Sequence, residues 1–394
     1  MRLQVNHAAR RPAAGSGALA AAACLAAFVC LAAASARAQP AMGASSAGWL
    51  AHFFADVNGV DVVSLYADYG LRTRSDVQAS LEWTHDIVII PAIDAPRGSA
   101  EAVDAITTAS RPIGDADQPY EDYIKTRDAL QGNVAYRAVS TGYYVSSESD
   151  YFAQMVSLGW QRDLDRDNLN LAAGLSYGWD SIEPLADDSG TAAPAARRTL
   201  HGSLVATRVL DPRTTLRLGA EFDRVTGQQH DPYRSVHAGG AIVRERHPDE
   251  RLRRDLFLRL SRWLGNRSSV KADVRLYGDD WDVGSTTLGL RLSQYVTDDL
   301  VIGYRYRYYT QSAAWFYADD YASADGIDGY RTGDYRLGDF GAHLFGGRVT
   351  WTPRGLTRRW RFLDDVELVL GFERYFNSYN FTASIYETGV RVAF

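Results

Sequence analysis

The sequence predicts an all-β fold: a transmembrane, antiparallel up-and-down β-barrel of about sixteen strands, following an N-terminal signal peptide. Three observations carry this. Polar and apolar residues alternate with period two along almost the whole chain beyond its first forty residues. The alternating segments run to ten or more residues, whereas soluble strands average roughly five or six. Aromatic residues also gather near the segment ends as interfacial girdles do: Trp83, Tyr151, Trp160, Trp179, Trp263, Tyr277, Trp281, Tyr308, Trp351 and Tyr375.

Composition narrows the alternatives. The 394 residues carry 42 basic and 48 acidic side chains, and only Lys125 and Lys271 among the bases are lysines. With 46% hydrophobic and 23% charged residues, the chain is neither disordered nor built to hold nucleic acid on a basic surface. A mean hydropathy of -0.26 excludes a polytopic helical membrane protein but not one that crosses with strands.

The first element is the signal peptide, residues 1–38. Arg2, Arg10 and Arg11 precede an uncharged stretch from Pro12 to Ala36, and Ala36-Arg37-Ala38 supplies a small-x-small cleavage site after Ala38. Cleavage removes four arginines and both cysteines, leaving 38 bases against 48 acids, a charge of -10. Without thiols, stability falls to hydrogen bonding and burial. The expected destination is the cell outer membrane.

A short periplasmic segment, 39–48, is expected before a barrel spanning 49–394. Within it Val270, Ala272, Val274 and Leu276 share one face and Lys271, Asp273, Arg275 and Tyr277 the other. Leu288, Leu290 and Leu292 likewise oppose Gly289, Arg291 and Ser293, and Tyr304, Tyr306 and Tyr308 alternate with Arg305 and Arg307. Strands are expected near 49–57, 60–70, 77–90, 127–137, 140–147, 151–162, 168–180, 198–210 and 214–224. The remainder lie near 253–264, 269–279, 283–296, 300–314, 338–352, 365–376 and 380–394. Sixteen is even, as bacterial single-chain barrels require. Val236–Arg244 would make the count odd and is assigned to a loop; fourteen is the other admissible count. Periplasmic termini put short turns on one side and long loops, near 91–125, 181–197, 225–252 and 315–338, on the other.

The last strand carries alternating Tyr386, Val390, Val392 and Phe394. This resembles the terminal-aromatic strand recognised by the bacterial barrel-assembly machinery. The expected partners are therefore that machinery and the outer-membrane bilayer, with no nucleic acid.

Three kinds of chemistry remain open. The first is a pore for passage or binding of a small solute. Its lumen would carry a basic ladder of Arg259, Lys271, Arg275, Arg291, Arg305 and Arg307, faced by Glu221, Asp223, Asp273, Glu367 and Glu373. The second is a non-conducting structural or interaction barrel that presents acidic, Tyr-rich loops to a surface partner. No cofactor is called for, but Asp319, Asp320, Asp325 and Asp328 crowd one such loop and are the hard oxygen ligands that calcium takes. The third is an embedded enzyme, for which His201 and Ser203 share a strand face; no Gly-x-Ser-x-Gly motif accompanies them. The 225–252 loop, rich in Arg, Asp and Pro, suits an ordered plug.

Several stretches resemble a family of Gram-negative outer-membrane β-barrel proteins without assigned function. They are Ser147–Tyr151, Asp231–Val236, Glu245–Arg251, Tyr277–Trp281 and Tyr306–Ser312. The resemblance implies the barrel and its compartment, but no reaction.

Overall fold

The computed structural model describes residues 45–73, 75–90, 123–185, 193–353 and 365–393. Its first strands are β1 (Ser45–Asp56), β2 (Asp61–Arg72), β3 (Val77–Ile90), β4 (Tyr123–Tyr136), β5 (Val139–Ser147), β6 (Tyr151–Leu164), β7 (Leu169–Ile182), β8 (Ala195–Asp211) and β9 (Thr214–Gly227). A small hairpin follows, β10 (Ser235–Ala238) and β11 (Ala241–Arg244). Then come β12 (Glu250–Leu264), β13 (Ser268–Asp279), β14 (Gly284–Tyr295), β15 (Leu300–Gln311), β16 (Phe340–Trp351), β17 (Asp365–Asn377) and β18 (Thr382–Ala393). All but β10 and β11 pair antiparallel in chain order, and β18 pairs with β1. The result is a closed barrel of sixteen strands without a free edge.

Closure satisfies the backbone, and alternation decides the two faces. In β9, β12, β13, β14 and β15 the even-numbered positions hold Leu218, Phe222, Leu256, Leu258, Leu276, Leu288, Leu290, Tyr304 and Tyr306, all exposed. Large apolar side chains in that number outside a closed sheet are a lipid-facing belt. No helix among the described residues is long and apolar enough to cross a membrane. This is an outer-membrane β-barrel, embedded in the lipid bilayer through that belt.

Several expected boundaries move. β1 begins at Ser45 rather than 49, because Ser46, Ala47 and Gly48 already pair with Ala393, Val392 and Arg391; residues 39–44 of the expected periplasmic segment lie outside the described residues. Val236–Arg244 lies outside the barrel, as parity required, yet it is not irregular. It forms the β10–β11 hairpin, turned by Gly239 and Gly240 with φ of 59° and 76°, the left-handed pair that a two-residue hairpin turn demands. The girdle holds in part. Trp83, Trp160 and Trp351 are exposed on the apolar face, whereas Tyr151, Trp263, Tyr277 and Tyr375 take register positions on the polar face. Trp281 is buried in a loop core. Proximity to a strand end does not fix the face on which a ring falls. The signal peptide, most of the 91–125 loop and Phe394 lie outside the described residues; Tyr386, Val390 and Val392 lie on the apolar face of β18.

Candidate functional site

The register gathers all the ladder candidates on the polar face. Lys271 lies opposite Arg291, and Arg291 opposite Arg305. Arg259 lies opposite Asp273, Arg307 opposite Gly289, and Arg275 opposite Thr287. Glu221 and Asp223 sit on β9 opposite Asp255 and Arg253. Glu367 lies opposite Arg391, and Glu373 opposite Gly346.

The acids do not form a separate facing wall. Asp273 is on β13 between Lys271 and Arg275, and it approaches Arg259 at 3.8 Å. Arg275 reaches Asp255 at 2.6 Å and Glu221 at 2.9 Å. Arg305 donates to both oxygens of Glu373 at 2.9 and 3.1 Å. These charges are thus paired within two strands, because charges on a sheet find partners across the ladder before they find them across a lumen.

Three of the pairs that skip a strand pass over glycine. Arg305 on β15 meets Glu373 on β17 above Gly346 of β16, where a Cβ would lie 2.7 Å from Glu373 Cγ. Arg348 meets Glu387 above Gly371, and Arg391 meets Asp68 above Gly48, at 3.7 Å in the second case. A Cβ at Gly48 would run into the Asp68 carboxylate.

The bases remain in excess on one side. β12 to β16 place Arg251, Arg253, Arg259, Lys271, Arg275, Arg291, Arg305, Arg307 and Arg348 on the polar face against Asp255, Asp273 and Asp279. Among the described residues Lys271, Arg291 and Arg307 have no ion pair. In the ring order β13, β14 and β15 stand eight places from β3, β4 and β5. That opposite side carries Glu82, Gln131, Asn133 and Ser80, which sequence reasoning missed; Asn133 donates to Ser80 at 3.4 Å. Only the strand order identifies these residues, since nothing in their local sequence marks them.

On the long-loop side a cap covers part of the rim. The hairpin β10–β11 joins the β15–β16 connection through Gly239 N–H to Tyr321 O at 2.8 Å and through reciprocal Arg246–Arg331 backbone bonds at 2.9 Å. At their junction Glu245, 2% exposed, accepts from Asp231 N at 3.0 Å, Arg234 at 3.2 Å, Thr332 Oγ1 at 3.1 Å and Gly333 N at 3.2 Å. Burial alone would raise its pKa, but His247 at 3.7 Å and the Arg234 charge outweigh it and hold the carboxyl below its ordinary value. Asp334 is also held low: burial works against ionisation, and Arg336 and Arg234 overcome it. A second core of Trp281, Val283, Ala314, Phe316 and Leu337 ties in the β13–β14 turn.

The cap reaches four strands round the ring. Tyr233 donates to Asp150 in the β5–β6 turn at 2.6 Å and accepts from Leu185 N at 2.9 Å. Asp150 and Glu148 hold Lys125 of β4 at 2.8 and 2.9 Å, all three nearly fully buried. At the other end Tyr335 packs edge-on against Tyr379 of the β17–β18 turn.

The remaining candidates stay apart. Asp319, Asp320, Asp325 and Asp328 are exposed, and no group of three His, Cys, Asp or Glu among the described residues is placed to hold a metal. Asp319 instead accepts from Tyr317 at 3.0 Å. His201 bonds Asp223 at 2.8 Å, while Ser203 sits opposite Glu221 and Gly174.

Comparison with known proteins bears on family. No curated protein matches the sequence. Among solved structures the chain is similar to a mutant of the ferric enterobactin receptor PfeA from Pseudomonas aeruginosa. The TM-score is 0.43 at 11% identity over 84% of this chain and 53% of that one, so it spans about half the receptor's length. It is also similar to a loop-deletion mutant of OmpT, an outer membrane protein of Vibrio cholerae (TM-score 0.42, 8% identity, 90% of this chain and 100% of that). A third is the outer membrane protein opdK from Pseudomonas aeruginosa (TM-score 0.42, 10% identity, 89% and 99%). The family model described as a protein of unknown function, DUF3570, matches residues 17–384. The chain therefore belongs to the DUF3570 family.

Proposed function

We propose that this barrel passes a small solute across the outer membrane through a lumen lined by its polar face. The supporting observation is a closed ring of sixteen strands whose polar face is charged along β12 to β16. About eight strands enclose only enough room for side chains, whereas sixteen leave a water-filled channel. In such a channel Lys271, Arg291 and Arg307 face water and counter-ions, which removes the penalty that unpaired charges carry in a dry interior. Liposome swelling tests this: proteoliposomes should swell in isotonic glycine or small sugars, and a swelling rate equal to that of empty vesicles would exclude passage.

The cap favours a second reading, in which the barrel is closed and presents its loops to a surface partner. Glu245, Arg234 and Asp334 join two loops into one unit, and Tyr233 ties that unit to the β5–β6 turn. Deleting residues 228–248 discriminates the readings. A barrel that swells liposomes only after the deletion is capped shut; one that swells them equally before and after is open beside the cap.

A further inference from the structure

We propose that the polar face holds a small oxyanion, a carboxylate or phosphate, between Lys271 and Arg291, with Arg307 at its edge. Lys271, Arg291 and Arg305 are directly opposite one another on three adjacent strands, hence about 4.8 Å apart from strand to strand. Like charges in that relation destabilise a sheet. Arg305 is committed to Glu373, while Lys271, Arg291 and Arg307 carry no ion pair among the described residues.

The surroundings relieve the repulsion only in part. Arg291 is repelled by Arg305, Arg348 and Arg259 and attracted by Glu373, itself engaged by Arg305. Across the ring, β4 and β5 put no carboxylate on this face, and β3, opposite β13, puts Glu82 and Asp86 there, the latter held by Arg127. Gly289, two residues from Arg291 and opposite Arg307, leaves room for the Asp273 carboxylate, which an added Cβ there would meet at 2.5 Å; that acid approaches Arg259 and, among the described residues, makes no ion pair with Lys271, Arg291 or Arg307. A guanidinium with a free fork takes carboxylate or phosphate through two parallel hydrogen bonds, and an adjacent ammonium adds point charge. An oxyanion seated there converts a repelling row into a compensated one.

The site rests on reading the polar face as a wetted lumen, and an equilibrium binding measurement tests it apart from conduction. Calorimetric titration of the detergent-folded barrel with inorganic phosphate, and separately with succinate, should give saturable binding with at least one of them. Binding should weaken with added KCl, since the contact is ionic and screened. The Lys271→Gln/Arg291→Gln variant should bind roughly tenfold or more weakly, with folding checked by heat-modifiable mobility and far-UV circular dichroism. Saturation by phosphate alone, or by succinate alone, selects the chemistry. No saturable binding of either anion by the folded wild type would overturn the site, as would unchanged affinity in the folded variant. Passage of solutes without anion binding would sink this inference and leave the pore intact; binding without passage would do the reverse.

Discussion

Tyr233 donates its hydroxyl to Asp150 at 2.6 Å, although the two belong to loops four strands apart around the barrel. The bond is buried, and the second Asp150 oxygen is taken by Lys125, so tether and ion pair form one unit. Removing the hydroxyl leaves Asp150 with an unfilled acceptor and Leu185 N–H without its partner, at a cost of about 1–3 kcal/mol for a buried polar group. Tyr233→Phe should accelerate limited proteolysis within 228–249 while the heat-modifiable mobility of the barrel stays unchanged. Equal cleavage rates in both proteins would mean that the tether does not hold the cap.

Acid should loosen the same cap. Glu245, Asp334 and His230 all have folded pKa values below their ordinary 4.5, 3.8 and 6.5. For His230 burial is the main cause, with the nearby His247 second. In each case the folded state binds fewer protons than the unfolded one, so stability rises with pH. The His230 contribution is full above about pH 6.5 and is lost as pH falls from there through its lowered value; those of the two carboxyls are lost at still lower pH. Amide exchange over 230–247 should therefore show falling protection from pH 8 to 6 to 4, after correction for intrinsic rates. Constant or rising protection would contradict the assignment.

The glycines beneath the skipping ion pairs make a paired prediction. At Gly346 a Cβ meets Glu373 Cγ at 2.7 Å and also the Phe372 carbonyl, while at Gly278 nothing lies within 4 Å. Gly346→Ala should destabilise the barrel by about 1–3 kcal/mol through overpacking, and Gly278→Ala should be neutral or slightly stabilising. Urea unfolding in lipid vesicles measures both. Equal effects would show that Gly346 is not there to clear the Arg305–Glu373 path.

Face assignment is tested by adding charge. Leu290→Arg, on the exposed apolar face, should cost about 2–4 kcal/mol near the bilayer midplane, falling toward the interfaces. Gln131→Arg, on the polar face of β4, should cost far less. The comparison reads out as the difference in folding yield and urea midpoint between the two variants, and a reversed order would invert the faces.

All sixteen barrel strands were legible in the sequence, because alternation is a local property and a closed sheet repeats it in every strand. β13, expected at 269–279, spans Ser268–Asp279. What escaped the sequence depends on which strand lies beside or across from which. Glu373 was assigned to a wall facing Arg305, and it is instead its partner over Gly346. Glu82 and Gln131 gained their place only from ring order. Trp281 looked like a girdle residue and is 3% exposed beside Phe316, since loop–loop packing leaves no periodic trace. The 225–252 loop, expected as a plug, carries a hairpin bonded to the β15–β16 connection, where the contact of Glu245 with Thr332 joins residues 87 apart in sequence.

The central claim is that the polar face lines a conducting lumen, and single-channel recording in planar bilayers tests it most directly. Refolded wild-type protein should give discrete, ohmic conductance steps in KCl, with a reversal potential under a salt gradient that reports anion preference from the excess of bases on β12 to β16. Absence of steps from protein shown to be folded and inserted, both with and without residues 228–248, would contradict it.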